Sequence, residues 1–345
     1  MNATTCCRNS PATAFAGAIP AQTRRSFLTG CAALVVLGSV DSARSEPWPQ
    51  QPVKLVVPFP PGGLSDGIAR LIGEPLAESL KQPFVIENMA GAAGAIAARY
   101  AARAPADGHT LFLGSLVQIA ILPALGDVTY DPVHDFAPIS NVARAPFVLM
   151  IHASVPATTL KEFVEYVRAQ PGRITYSSSG VGSLEHLSMA LFQKRAGIEM
   201  IHVPYKGGPQ AITDLIAGHV AAYFGSRPVA AAQSHSEKIR LLAISDQQRS
   251  AQFPDVPTVA ESGYPGFRTV TWNGLMAPAR TPSPIIDKLA EAVQRAIKNP
   301  ASIQNFVNFG VDPIGDTQQE FAATIAADMA TWAEAVNVAG LKKQP

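Results

Sequence analysis

Short apolar runs alternate with stretches of helical period along most of this chain. Runs rich in valine, isoleucine and phenylalanine predict strands at 53–57, 84–87, 110–114, 147–152, 175–177, 200–204, 220–224, 240–244 and 268–276. Leu64, Ile68, Leu71, Ile72 and Leu76 share one face of a helix that Pro75 is expected to bend. Further helices are read at 160–169, stopped by Pro171-Gly172, and at 184–196, 284–298 and 318–336. In the last of these Phe321, Ile325, Met329 and Trp332 form a stripe expected to pack in a core. The alternation argues for an α/β protein with largely parallel sheets. Two apolar extended segments, 139–152 going out and 267–276 coming back, read as crossings between two lobes and hence as a hinge over a cleft.

Two strand-to-helix turns share a design. The first is Pro58-Phe59-Pro60-Pro61-Gly62-Gly63-Leu64-Ser65-Asp66 and the second Ser177-Ser178-Ser179-Gly180-Val181-Gly182-Ser183-Leu184. A glycine-rich turn at a helix N-terminus presents free backbone N–H groups at the positive end of the helix dipole. Two copies, about 115–120 residues apart, suggest two lobes gripping one small anion. Asp66, in the first turn of its helix, is placed to accept from free amides there.

The N-terminus points to export. Thr23-Arg24-Arg25-Ser26-Phe27-Leu28 reads as a twin-arginine signal, followed by the short apolar run 31–37 and a small-residue pattern at Ala43-Arg44-Ser45. The run is too short to span a bilayer, and cleavage is expected after Ser45, with residues 1–45 as the leader. Leu28-Thr29-Gly30-Cys31 has the look of a lipoprotein box, but the apolar run follows the cysteine instead of preceding it. Of 345 residues, 300 then remain, enough for two ordinary α/β domains. The leader carries four arginines and one aspartate, so the mature chain holds 23 Lys/Arg against 25 Asp/Glu, a net charge of −2. That balance attracts neither nucleic acid nor an anionic membrane. All three cysteines (Cys6, Cys7, Cys31) lie in the leader, which leaves the mature protein no disulfide, thiolate nucleophile or cysteine metal site.

Catalytic patterns are sparse. Gly180-Val181-Gly182-Ser183-Leu184-Glu185 has two glycines of a dinucleotide fingerprint but Glu185 in place of the third. There is no phosphate loop, no G-x-S-x-G elbow and no H-E-x-x-H, and the seven histidines lack metal-ligand spacing. No cofactor, metal or catalytic residue is expected. Ser177, Ser178, Ser179 and Ser183 suit capping or anion binding better than nucleophilic attack, for which no base and orienting acid stand out. His186 either hydrogen-bonds the second turn or faces a ligand. Glu87-Asn88-Met89-Ala90-Gly91-Ala92-Ala93-Gly94 is another strand-to-helix turn, whose glycines serve either close packing or a ligand. Ser115 ends a strand where ligands of parallel sheets collect. Tyr205, leaving a strand before Lys206-Gly207-Gly208, can wall the cleft and donate its hydroxyl, whereas Lys206 suits solvent.

These stretches, in this order, resemble the TctC/Bug family of periplasmic solute-binding proteins of tripartite tricarboxylate transporters. The likeness runs from Trp48 to about Leu341. Its most specific parts are Pro58–Gly63 with Asp66, Glu87-Asn88 with Gly91 and Gly94, Ser178-Ser179-Gly180 with Gly182-Ser183 and His186-Leu187, and Val203-Pro204-Tyr205-Lys206-Gly207. Asp255–Gly263 and Trp272-Asn273-Gly274-Leu275 follow.

The resemblance implies a two-lobed, type II-like Venus-flytrap fold with two crossover strands as hinge. Lobe 1 would be 46–143 plus 273–345 and lobe 2 would be 144–272. It implies a monomeric, non-enzymatic receptor in the periplasm that captures a small organic carboxylate and delivers it to membrane transporter subunits. A sensor subunit or, less favoured, an exported serine hydrolase are the alternatives. Carried over, the family's ligand contacts fall on Phe59, Gly63, Leu64, Asn88, Gly91, Ala92 and Ser115 in lobe 1. In lobe 2 they fall on Ser178, Ser179, Gly180, Ser183, His186 and Tyr205. The opposite wall, Phe224-Gly225-Ser226-Arg227 with Trp272-Asn273, is expected to set ligand identity. After strand 220–224 the family usually has an aspartate, which would suit a ligand ammonium; its absence here counts against an amino-acid ligand. Arg227 is read either as a partner for a second ligand carboxylate or as a surface arginine capping the next turn. The chain also has Ala277-Pro278-Ala279-Arg280-Thr281, where the family usually has glycine before the threonine. Arg280 is read as a local loop change.

Overall fold

The structure, a computed structural model, describes residues 48–126 and 128–341. The expected twin-arginine leader, its apolar run and the expected cleavage point lie outside the described residues.

One sheet path runs through the described chain and is built twice on the same plan. In the first half, β1 (Val53–Val57) leads through the proline-glycine turn to α1 (Leu64–Leu80), and β2 (Phe84–Asn88) leads to α2 (Ala95–Ala102). β3 (Thr110–Ser115) is followed by a π turn at Val117–Ile121 and the short α3 (Leu122–Leu125). β1 pairs in parallel with β2 on one side and β3 on the other. The crossing strand β4 (Phe136–His152) then enters the second half, where α4 (Leu160–Arg168), β5 (Thr175–Ser178), α5 (Leu184–Ala196), β6 (Ile201–Pro204), α6 (Gly208–Ala217), β7 (Ala222–Ser226), α7 (Arg227–Gln233) and β8 (Ile239–Ile244) follow. Here β5 sits between β6 and β7, again in parallel. The chain returns through β9 (Val270–Pro278) to α8 (Ser283–Lys298), α9 (Pro300–Asn308), the two-residue β10 (Asp312–Pro313) and α10 (Gln318–Val338).

Each half closes its parallel trio with an antiparallel strand brought in by the crossing: β9 beside β3, and the end of β4 beside β7. β4 and β9 pair with each other over most of their length, with register shifts between Pro138 and Ser140 and between Asn141 and Ala143. Such bulges bend a strand locally, as a strand shared by two lobes requires. The lobe boundaries expected at 143/144 and 272/273 fall on adjacent rungs of this ladder, Ala143 opposite Asn273 and Arg144 opposite Trp272.

Most of the predicted elements form within one or two residues of their expected ends. α1 runs on through Pro75. Ile68, Ile72 and Leu76 are buried, while Leu64 stays exposed at its start. Phe321 and Trp332 of α10 are buried, with Ile325 and Met329 packed on the same cluster. α10 lies against the π turn of the first half and α5 of the second, and Glu334 pairs with Lys194 and Arg195 of α5. Gly274 of β9 faces the Phe321 ring, which a Cβ would approach to 2.0 Å. The short helices α2, α3, α6, α7 and α9 leave no periodic pattern in the sequence, because four to ten residues with mixed small side chains give little helical signal.

Candidate functional site

β1 and β5 are the central first strands of their parallel trios, so the turns leaving them sit where strand order reverses. Ligands of open α/β sheets collect there. A cavity of about 650 Å³ lies between the halves, lined by residues of both turns: Phe59, Pro60, Gly62, Gly63, Leu64 and Ser65 from the first, Leu184 and Glu185 from the second. Ser115, Val117, Ala145, Phe147, Ser226, Pro228, Thr271, Asn273, Phe309 and Gly310 complete the wall. Among the described residues, Glu185 is the one charged side chain in this lining.

The first turn is held from behind. Gly62 adopts a left-handed conformation (φ 82°), which glycine accepts without a Cβ clash. The buried Asp66 carboxylate accepts from the Gly62 N–H at 2.9 Å, from Arg70 Nε at 3.0 Å and from Asn88 Nδ2 at 3.1 Å. Arg70 first, with the Gly62 and Asn88 bonds adding to it, holds Asp66 below the usual carboxylate range. Asn88 Nδ2 also donates to the Phe59 carbonyl at 3.0 Å, so Asn88 braces the turn from outside the lining. No side chain caps α1, whose N-cap is Gly63. The N–H groups that open any helix lack intrahelical partners, and here Gly63, Leu64 and Ser65, whose N–H groups have no acceptor among the described hydrogen bonds, line the cavity. Gly67 follows with no Cβ because the Phe309 ring occupies that place, at 2.1 Å from a built Cβ.

Ser115 reaches the cavity at the end of β3, and its hydroxyl donates to Gln118 Oε1 at 2.7 Å. Gln118, wholly buried, also accepts from the Ser115 N–H and donates to the Ala93 carbonyl. Gly91, Ala92, Ala93 and Gly94 all have positive φ. Non-glycine residues there are strained by about 1–3 kcal/mol each and persist only where surroundings hold them; Gln118 and Pro58 close on Gly94 from two sides. Gly91 and Ala92 are exposed and do not line the cavity.

The second turn is closed on itself, unlike the free amide cradle expected there. The Gly180 N–H donates to Ser178 Oγ, the Gly182 N–H to His186 Nδ1 at 3.0 Å, and the Ser183 N–H to the Gly180 carbonyl. Ser183 Oγ caps α5 by accepting from the His186 N–H. Ser179 Oγ donates to Glu185 Oε2 at 2.7 Å. Ser178, fully buried, meets His202 Nε2 at 2.6 Å. His202 lies flat on His186 with ring centroids 3.9 Å apart, and on Tyr176 at 4.9 Å. Burial pushes His202 down to about 4, with His186 adding to the shift, and burial also lowers His186. None of Ser178, Ser179, Gly180, Ser183 and His186 lines the cavity; they shape the loop that presents Leu184 and Glu185.

Four further residues expected at the site lie outside the cavity lining. Tyr205, half-buried, donates its hydroxyl to Asp214 and packs against the second-half core. Gly225 is buried against Met150 and Tyr223 and faces away from the cavity that Ser226 lines. Successive strand residues point to opposite faces, so Thr271 and Asn273 reach the cavity while Trp272 points behind β9. There it donates Nε1–H to Asp328 Oδ2 at 2.8 Å and meets the Phe321 ring edge-on. Arg227 neither reaches the cavity lining nor sits on the surface: it is 3% exposed, donates Nε–H to the Gly310 carbonyl at 3.1 Å and is ion-paired with Asp312. Asn273, which also donates to Ser65 Oγ at 2.7 Å, follows from the period-two pattern; Phe309 and Gly310 carried no local signal.

The doubled sheet plan, the shared crossing strands and the cleft at both switch points define a two-lobed solute-binding protein of periplasmic type. Residues 68–341 match the family model of the tripartite tricarboxylate transporter family receptor, TctC. Protein BugT of Bordetella pertussis is 34% identical over 314 residues, covering 90% of this chain and 95% of that protein. A solved R. palustris protein with adipate is 35% identical with a TM-score of 0.70, covering 85% of this chain and 99% of the other. MatC from Rhodopseudomonas palustris with bound malate is 33% identical with a TM-score of 0.67, covering 84% and 100%. The chain therefore belongs to the TctC family of solute-binding receptors.

Proposed function

We propose that the protein is exported by its twin-arginine leader, cleaved after Ser45, and captures a small organic carboxylate between lobes 46–143 plus 273–345 and 144–272. It then passes that ligand, as a monomer, to the membrane subunits of a tripartite tricarboxylate transporter. The observation that carries this reading is the uncapped N-terminus of α1, open at Gly63, Leu64 and Ser65 to an interlobe cavity. A carboxylate there meets amides that have no acceptor among the described hydrogen bonds, at the favourable end of a helix dipole. The Ser65 and Asn273 side chains and the Ser115 hydroxyl stand beside it. The adipate and malate of the two solved relatives support capture of a carboxylate end, the part of the ligand that this reading assigns to the α1 amides. Among the described residues no helix is long and apolar enough to cross a membrane.

A thermal-shift screen of small carboxylic acids tests the reading. At a hundredfold excess over Kd a ligand that binds only the folded state adds about 2.7 kcal/mol of stability. A screen in which no acid raises the melting temperature refutes it. Export is tested by replacing Arg24 and Arg25 with lysine, which is expected to hold the uncleaved chain in the cytoplasm.

The Ser178–His202 contact favours a second reading, an exported hydrolase. Against it, Ser178 is fully buried and lies outside the cavity lining, and the described hydrogen bonds give His202 no carboxylate partner. Labelling by a serine-directed probe, lost in Ser178→Ala, would favour the hydrolase.

A further inference from the structure

The two ends of the cavity are not alike. Asp66 and Glu185 both stand in the first turn of a helix whose N-terminus meets the cavity. Asp66 is turned behind the loop and neutralised by Arg70 through two hydrogen bonds. Glu185 lines the cavity, and its described partner is a neutral hydroxyl, that of Ser179. Among the described residues no cationic side chain lines the cavity, and Arg227, between the lining residues Ser226 and Pro228, is committed to Asp312 and the Gly310 carbonyl. The Gly180, Gly182 and Ser183 amides are spent internally, and the Leu184 and Glu185 N–H groups that open α5 on the cavity already have the Glu185 carboxylate beside them, so the second-lobe end suits an anion less than the first. Between the poles the wall is largely apolar, with Phe59, Val117, Ala145, Phe147, Leu184 and Phe309.

We infer that the cavity selects a carboxylate with an apolar body and a remote ammonium, its carboxylate on the α1 amides and its ammonium on Glu185, and rejects dicarboxylates. This rests on the carboxylate-binding reading above. The acidic partner missing after β7 is supplied instead from the first turn of α5. A second ligand carboxylate would meet Glu185 as a like charge in a lining with no described countercharge, and such like-charge juxtaposition discriminates against a wrong partner.

Calorimetry with matched acids tests it. Adipate, caproate and ε-aminocaproate share one carboxylate and a methylene body and differ at the far end; succinate, butyrate and γ-aminobutyrate repeat the comparison at shorter length. The wild-type protein is expected to bind the amino acid tightest and the diacid weakest within a length. A hydrogen bond to a charged group contributes about 1.5–3 kcal/mol, so Glu185→Gln is expected to weaken the amino acid by about tenfold to a hundredfold. The same variant is expected to strengthen the diacid and to leave the simple acid within about threefold. Glu185→Asp, which keeps the charge, should retain the wild-type order.

A diacid that binds the wild type more tightly than the simple acid overturns the inference, as does an unchanged order in Glu185→Gln. If none of the six binds, the inference also fails. In that case stabilisation by some other carboxylate leaves the proposed function standing, and silence across the whole acid screen brings down both.

Discussion

Arg227 offers a sharp test, because a role in ligand binding and a role in the fold predict opposite results. The guanidinium is 3% exposed and bridges α7 to the segment after α9 through the Gly310 carbonyl and Asp312, whose side chain is 33% exposed. Breaking a fully buried pair costs about 3–5 kcal/mol, because the remaining charge is left uncompensated. Water reaches the Asp312 carboxylate, so the lower end, about 3 kcal/mol, applies to Arg227→Ala. Unfolding entropy near 2.1 cal/mol/K per residue over about 300 residues amounts to roughly 0.6 kcal/mol/K, which converts that loss to a fall of about 5 °C in Tm. Arg227→Met, which keeps the apolar stem but not the charge, should lose about half as much.

Thermal unfolding is followed with and without the best acid from the screen. The expected result is a lower Tm for the free variant, with the ligand-induced increment retained. An unchanged Tm for the free variant, together with loss of the ligand increment, would refute the structural role and return Arg227 to the ligand.

Two further predictions concern the turns. His202 is held neutral in the fold, at about 4 against an ordinary value of 6.5. The unfolded chain therefore takes up a proton first as pH falls, and stability that is complete above about pH 6.5 drains away toward pH 4. By pH 5 the loss should be about 1–2 kcal/mol, read as a falling Tm, and His202→Gln should flatten that slope; a slope unchanged in the variant refutes the assignment. Asp66→Ala removes the acceptor shared by Gly62, Arg70 and Asn88 and should destabilise by about 2 kcal/mol. It should also weaken carboxylate binding, because the first turn loses its brace; denaturant titration and calorimetry would detect the two effects separately.

How far the site was legible depended on the range of the forces that build it. Gly62-Gly63 before Leu64, and Asp66 one turn later, specify an open helix N-terminus from neighbouring residues alone, and that turn lines the cavity. At Ser178–His186 the same local composition misled. Whether an N–H is free depends on which side chain folds back over it, and His186 and Ser178 do so here. Trp272 is instructive in another way: its strand was legible, but its direction depended on register, and one step of a period-two ladder separates the cavity face from the back.

By itself, then, the amino-acid order determined the strands, the larger helices, the α/β class and the two crossings, since hydrophobic periodicity and glycine-proline punctuation act over a few residues. Tertiary structure alone decided that Arg227 pairs with Asp312, that Phe309 closes on Gly67, and that Glu185 stands without a countercharge in the cavity. Those outcomes join residues tens to hundreds of positions apart, and burial and electrostatic pairing depend on distance in space, which local pattern does not encode.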